Sequence, residues 1–195
     1  MVTASVWGWL ALGYAVASRL AYVLYVGFAL RRQERSPGAV AFQRFRWAAS
    51  RLMTNDAVSF IAACVAGWHT LSGGLPRAVL VVSGIVLMVV GVVTKLWARA
   101  TLGGEAYYWA NFFSDTPSVS PARTGPYRVF RNPMYTVGYL HAYGFALVTA
   151  SLPGLIAALF DQAAILTFYA LVEKPHFDRY RDAATRERVG ARESR

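Results

Sequence analysis

The stretch that decides the fold runs from Tyr135 to Val172 and reads YTVGYLHAYGFALVTASLPGLIAALFDQAAILTFYALV. It contains two long apolar runs, Tyr135 to Leu152 and Pro153 to Val172, and Asp161 is its only acidic or strongly basic residue. Each run approaches the roughly 20 apolar residues that a helix needs to cross a bilayer. The short stretch Ser151 to Gly154 joins them. The pattern predicts a tight hairpin of two transmembrane helices.

Three further apolar runs precede this hairpin. They are Trp7 to Leu30, Leu52 to Leu71 and Ala78 to Trp97. Of the 195 residues, 56% are hydrophobic and only 15% are charged, whereas soluble domains carry about 25% charged residues. The single cysteine, Cys64, excludes a disulfide framework. We therefore predict an all-α, polytopic membrane protein with about five transmembrane helices that ends in a helical hairpin.

The basic residues predict an orientation. Of the 20 lysine and arginine residues, 18 lie in three segments, 31–51, 95–131 and 174–195, all on one side of the predicted spans. The positive-inside rule places these segments in the cytoplasm, with the N-terminus outside and the C-terminus cytoplasmic. The net charge of +10 then faces anionic lipid head groups. Nucleic-acid binding is not expected.

Two of the predicted cytoplasmic segments carry helical or aromatic patterns. Ala39 to Arg51 has apolar residues at helical spacing among arginines, so it is either an interfacial helix or a basic extension of the second span. Arg99 to Pro133 holds an aromatic cluster that is typical of a membrane-interface belt. The cluster consists of Tyr107, Tyr108, Trp109, Phe112 and Phe113. No metal site is predicted, because the histidines lie far apart and no Cys/His pair has ligand spacing.

Arg19, His141 and Asp161 are ionisable residues well inside predicted spans, where such groups are costly. Arg19 and Asp161 each lie 11 residues from a cytoplasmic helix end, or roughly 16 Å deep at 1.5 Å per residue. A structural ion pair is the favoured interpretation. His141 lies roughly 9 Å deep by the same rise. It is either a hydrogen-bonded core histidine or a group that faces a lipid head group.

Two motifs converge on the cytoplasmic face from the last two predicted spans. Arg131-Asn132-Pro133-Met134-Tyr135 leads into the fourth span, and Glu173 follows the fifth. Pro133 is expected in the first turn of the fourth span, where free backbone N–H groups favour an anion. Glu173 would supply the opposite charge, so a zwitterionic amino-acid group would be matched at both ends. The alternative is that Arg131 and Glu173 are ordinary interfacial charges.

These motifs resemble a known enzyme family. Asn132-Pro133-Met134-Tyr135, Ala150-Ser151-Leu152-Pro153-Gly154-Leu155 and Glu173-Lys174-Pro175 look like the C-terminal half of phosphatidylethanolamine N-methyltransferases. Arg131 to Tyr135 also echoes the Arg-His-Pro-x-Tyr motif of the related isoprenylcysteine carboxyl methyltransferases. Thr101-Leu102-Gly103-Gly104-Glu105 resembles a glycine-containing stretch upstream in the phospholipid enzymes.

The resemblance implies an S-adenosylmethionine site at the cytoplasmic ends of the last two spans. The residues that match by position are Gly103, Gly104, Tyr127, Arg131, Asn132, Pro133, Tyr135 and Glu173. Lys174 departs from the family, because it replaces the second glutamate of a Glu-Glu pair. The tail after Pro175 lacks a Phe-Gly…Tyr pattern of the carboxyl methyltransferases, which favours a phospholipid-type enzyme.

The expected function is S-adenosylmethionine-dependent methyl transfer to a lipid amine of the phosphatidylethanolamine type. Residues 1–195 are expected to form one domain, with N-terminal spans in 1–77 and the catalytic core in 78–195. The candidate catalytic residues are Glu105, Arg131 and His141, and Glu105, His141 and Glu173 are candidates for assisting proton loss from the amine. The alternatives are a carboxyl or other small-acceptor methyltransferase, a sterol-type reductase and a non-enzymatic membrane scaffold.

Overall fold

The computed structural model describes residues 5–38, 40–71, 74–104, 106–113, 124–130 and 132–179. The α-helices are, in chain order, α1 (Val6–Arg35), α2 (Phe42–Ala66), α3 (Arg77–Leu102), α4 (Leu140–Val148) and α5 (Leu152–Phe168). A π-helical turn, Tyr169–Glu173, continues α5, and helical structure extends from there to residue 179. The other regular elements in these ranges are short 3₁₀ turns, so the predicted all-α class is confirmed.

Within the described part of the chain, three helices are long and apolar enough to cross a membrane: Val6–Arg35, Arg77–Leu102 and Leu152–Arg179. They correspond to the predicted first, third and fifth spans. Helix α2 has 25 residues but is more polar, and the apolar helix Val137–Val148 covers only about 18 Å at 1.5 Å per residue. The predicted count of five spans is therefore not confirmed.

Helix α2 settles the role of the basic segment that precedes the second apolar run. The helix begins at Phe42 and runs without a break to Ala66. Phe45 and Ala49, near its N-terminal end, are fully buried in the main hydrophobic core. The segment is therefore an extension of the same helix, which was one of the two predicted alternatives.

Helix α4 begins later than the sequence predicts. Residues 133–136 form turns, Val137–Tyr139 form a 3₁₀ turn, and the α-helix starts only at Leu140. The amide of Gly138 donates to the carbonyl of Pro133 at 2.7 Å, which closes a wider loop than an α-helical turn. The prediction that Pro133 lies in the first turn of this helix is wrong.

Small residues allow α3 and α4 to approach closely. Gly84, Gly91 and Ala98 are the buried residues of α3, and they recur every seven residues on one face. A Cβ added to Gly91 would overlap the main-chain nitrogen of His141, and one on Gly84 would lie 2.7 Å from the carbonyl oxygen of Gly144. Such small-residue faces are common where membrane helices pack backbone to backbone.

The predicted hairpin of α4 and α5 is present, with a shorter connection than expected. Helix α5 already begins at Leu152, and Ser151 caps it by accepting a 3.0 Å hydrogen bond from the amide of Gly154. Helix α1 packs against α2 and α5, and α3 packs against α4. The outer faces of α1 and α3 expose many large apolar side chains, as expected for helices in contact with lipid.

Candidate active site

A large cavity lies between the helices of the bundle. Its volume is about 740 Å³, within the range of roughly 300–1,000 Å³ that is usual for small-molecule sites. Helices α1, α2, α3, α4 and α5, together with the segments around Trp109 and Asn132, contribute to its lining. Its lining includes Glu173 and a group of charged residues, Arg19, Asp56 and Asp161.

Glu173 is a buried carboxylate that accepts hydrogen bonds from two side chains. It lies in the π-helical turn and is only 7% exposed. The indole nitrogen of Trp109 donates to its Oε1 at 2.5 Å, and the hydroxyl of Tyr135 donates to the same oxygen at 2.7 Å. Single π-turns within α-helices are frequent at functional sites. Two donors on one oxygen hold the carboxylate in a defined position at the cavity wall.

Trp109 corrects the prediction that the aromatic cluster is only an interfacial belt. Its side chain is buried and packs edge-on against Phe45 and Phe168. Its backbone adopts φ 57°, a left-handed conformation that bulky residues rarely occupy and that is often found at functional sites. Phe112 is also buried, with its ring stacked on His176 at 3.6 Å. Trp109 and Phe112 therefore belong to the hydrophobic core and to the lining of the cavity.

The structure brings together five of the residues predicted for the site. Of the predicted site residues, those that line the cavity are Tyr127, Asn132, Tyr135, His141 and Glu173. Gly103, Gly104 and Pro133 lie close to the site in sequence but are not among its described lining residues. Gly103 ends α3 with φ 84°, a conformation that favours glycine. Glu105 and Arg131 lie outside the described residues.

Tyr127 contributes a hydroxyl whose ionisation is suppressed. Burial raises the pKa of Tyr127, and the nearby negative charge of Glu173 raises it further. Both effects disfavour the phenolate, because a buried anion loses hydration and repels a neighbouring carboxylate. Tyr127 is therefore a neutral hydroxyl that can donate a hydrogen bond to a ligand in the cavity.

His141 has a defined tautomer when it is neutral. Its Nδ1 lies 2.5 Å from the carbonyl oxygen of Gly138. A carbonyl can only accept a hydrogen bond, so Nδ1 carries the proton and Nε2 retains a lone pair. His141 is thus the hydrogen-bonded histidine of one predicted alternative, and it also lines the cavity.

The cavity lining also contains the ion pair predicted between Arg19 and Asp161. The Nη2 atom of Arg19 lies 2.9 Å from Asp161 Oδ2 and 2.7 Å from Asp56 Oδ2. The predicted pair is therefore confirmed and has a third member. Asp56 lies only four residues into the second apolar run, Leu52 to Leu71, and its sequence position did not single it out as a partner of Arg19. In the predicted span, Asp56 would lie much nearer to the cytoplasmic end than Arg19. The two side chains meet in the structure because α2 begins at Phe42, ten residues before the predicted span.

The family model for phospholipid methyltransferases matches residues 79–182, and the chain belongs to this family. One relative is the phosphatidylethanolamine N-methyltransferase of Clavispora lusitaniae. It is 36% identical to this chain over an alignment that covers 50% of this chain and 12% of the relative. The phosphatidylethanolamine N-methyltransferase of Aspergillus flavus is 32% identical over 77% of this chain and 16% of the relative. That of Schizosaccharomyces pombe is 36% identical over 49% of this chain and 10% of the relative. The chain spans about a tenth to a sixth of these relatives' lengths. No solved structure matches it.

Proposed function

We propose that this protein transfers a methyl group from S-adenosylmethionine to the amine of a phosphatidylethanolamine-type phospholipid at the cytoplasmic membrane surface. The observation that carries the proposal is that Glu173 and exposed apolar side chains of α2 and α3 line the same cavity. Ile61 of α2 and Val92 of α3 both line the cavity and are 48% and 41% exposed. An amphipathic acceptor can reach the cavity between α2 and α3 while its acyl chains stay in hydrocarbon, where each CH₂ is favoured by about 0.8 kcal/mol over water.

The residues around Glu173 fit S-adenosylmethionine. The buried carboxylate suits the ammonium of the cofactor's amino-acid group, and the rings of Tyr107, Trp109 and Tyr127 are available to its adenine. When bound, S-adenosylmethionine supplies a methyl group activated by attachment to a sulfonium. The remaining cofactor-binding residues are proposed from their match to the family motifs: Gly103, Gly104, Arg131, Asn132, Pro133 and Tyr135.

The acceptor amine must lose a proton before it can act as a nucleophile. Among the proposed catalytic residues, His141 has a free lone pair on Nε2 and lines the cavity, so it is our preferred proton acceptor. Glu105 remains an alternative acceptor, and Arg131 is proposed to hold the cofactor carboxylate. A carboxylate acceptor would need no such base.

The proposal treats residues 1–195 as one membrane-embedded domain with the N-terminus outside and the C-terminus in the cytoplasm. Residues 78–195 would form the catalytic core. Residues 1–77 contribute Arg19, Tyr22 and Asp56 to the same cavity. The N-terminal helices are therefore expected to be needed for activity.

The test is incubation of the purified protein with labelled S-adenosylmethionine and phosphatidylethanolamine in mixed micelles. The rate should rise between pH 7 and 9, because a lipid amine resembles a lysine with a pKa of about 10.4 and its neutral fraction increases with pH. His141→Asn should slow the reaction at least about tenfold, and His69→Asn, at the opposite end of the molecule, should not. Methylation of a prenylcysteine carboxylate instead, with a flat pH profile, would identify the carboxyl-methylating alternative.

A further inference from the structure

The Arg19 cluster has unsatisfied polar atoms although it is buried. Arg19, Asp56 and Asp161 are 7%, 6% and 3% exposed. Arg19 bonds one oxygen of each carboxylate, and within the described part of the chain Asp56 Oδ1 and Asp161 Oδ1 have no hydrogen-bond partner. A buried carboxylate oxygen without a partner is costly. Since both carboxylates line the cavity, a ligand there can supply the missing donors.

The charge balance of this cluster favours a cationic donor. Two carboxylates share a single guanidinium, so the three residues together carry one excess negative charge when both carboxylates are ionised. An ammonium group would provide several N–H donors and a compensating positive charge. Lys95 of the same cavity offsets this charge when it is not otherwise engaged. Once Lys95 contacts an anion, only a cationic donor both satisfies the oxygens and balances the charge.

Lys95 places a cation beside these carboxylates. It lines the same cavity, and its stem packs at Gly138, where an added Cβ would lie 2.9 Å from Lys95 Cγ. Its Nζ lies 5.0 Å from the centre of the Tyr139 ring, and the guanidinium carbon of Arg19 lies 5.9 Å from the same ring. No ion pair to Lys95 is formed by the described residues. Its charge is available to an anion in the cavity.

Resting on the proposed function, we infer that the part of the cavity lined by Lys95, Asp56 and Asp161 binds the zwitterionic head group of the lipid acceptor. Lys95 contacts the phosphate, and the free oxygens of Asp56 and Asp161 accept hydrogen bonds from the ammonium. In phosphatidylethanolamine the two charges are separated by two carbons, so one head group can reach both partners. Because Ile61 and Val92 line the cavity and are exposed on the outer surface, the acyl chains can remain in the bilayer. Neither Arg19 nor Asp56 lies within the segment that the family model matches.

The test measures lipid binding without any methyl donor. The full chain in detergent micelles is titrated with fluorescent phosphatidylethanolamine and with phosphatidic acid of the same acyl chains, which has the phosphate but no amine. Lys95→Gln should weaken the binding of both lipids at least about tenfold, which corresponds to the loss of one charge-assisted contact. Asp56→Asn and Asp161→Asn should weaken phosphatidylethanolamine to the same extent but not phosphatidic acid. Arg31→Gln, an exposed cation outside the cavity, should change neither affinity.

Equal effects of the aspartate variants on both lipids, or unchanged affinities in Lys95→Gln, would overturn the assignment. Thermal unfolding checks that each variant is folded. If an aspartate variant does not fold, wild-type protein is compared with phosphatidylethanolamine and its N-acetylated form, and the acetylated lipid must bind at least about tenfold more weakly.

Donor binding and methylation are measured on the same preparations. The expected lipid pattern without methylation would defeat the proposed function but not this site. Normal methylation with unchanged lipid affinities in all three variants would defeat this site but not the proposed function.

Discussion

Replacing Glu173 by glutamine removes one negative charge from the cavity while nearly preserving shape. In the wild-type protein Trp109 and Tyr135 both donate to Oε1. Only an oxygen can accept these two bonds, so the amide oxygen of the variant should take the place of Oε1. The amide NH₂ group then occupies the place of Oε2 and presents donors where the carboxylate presented an acceptor.

The expected loss follows from this exchange. A hydrogen bond between charged groups contributes about 1.5–3 kcal/mol, and each 1.4 kcal/mol is a tenfold change in affinity. The dissociation constant for S-adenosylmethionine should therefore rise about 10- to 150-fold. We expect the upper part of this range, because an ammonium would now face N–H donors instead of an acceptor.

Calorimetry on detergent-purified protein measures this affinity, and methylthioadenosine provides a second ligand that lacks the amino-acid group. Its affinity should be the same in the wild-type protein and in Glu173→Gln. Glu34→Gln is the matched control, because Glu34 pairs with His176 and Arg179 and does not line the cavity. Wild-type affinity for S-adenosylmethionine in Glu173→Gln would refute the reasoning, and an equal loss for methylthioadenosine would show a general distortion of the site.

Two further predictions concern packing and orientation. Gly91→Ala should destabilise the protein by about 1–3 kcal/mol because the added methyl group overlaps the main chain of α4, whereas Gly13→Ala, with open space around it, should be neutral or stabilising. Chemical unfolding in micelles measures the stability of both variants, and equal stabilities would contradict the close packing of α3 and α4. The orientation is tested with single cysteines introduced after the buried Cys64 is replaced by alanine. A membrane-impermeant thiol reagent should label Leu75→Cys from the outside and Pro37→Cys only after the membrane is opened, and the reverse result would invert the proposed orientation.

Much of the architecture was predictable because hydropathy is a local property. The two apolar runs on either side of Ser151 predicted the hairpin of α4 and α5, and both helices are present. Arg19 and Asp161 were predicted to pair from their equal depth alone, and they do. An isolated charge in an apolar environment is costly enough that depth along a helix indicates its partner.

Helix ends were less predictable. Hydropathy did not reveal that the chain around Pro133 forms turns before α4, because it reports a segment's preference for lipid or water and not its backbone conformation. The π-helical turn at Tyr169–Glu173 also has no signature in the residue pattern. Both features depend on how neighbouring helices pack, and both determine which side chains reach the cavity.

The sequence by itself determined the helical class, the apolar segments, the asymmetry of charge and the motifs that identify the family. It did not determine that Trp109 would reach Glu173, 64 residues away, or that Asp56 would join Arg19 and Asp161. Hydropathy and charge report the preference of each segment for lipid or water, which every residue expresses locally. Contacts between side chains far apart in the chain exist only after the helices have packed, because packing alone sets their distance and orientation.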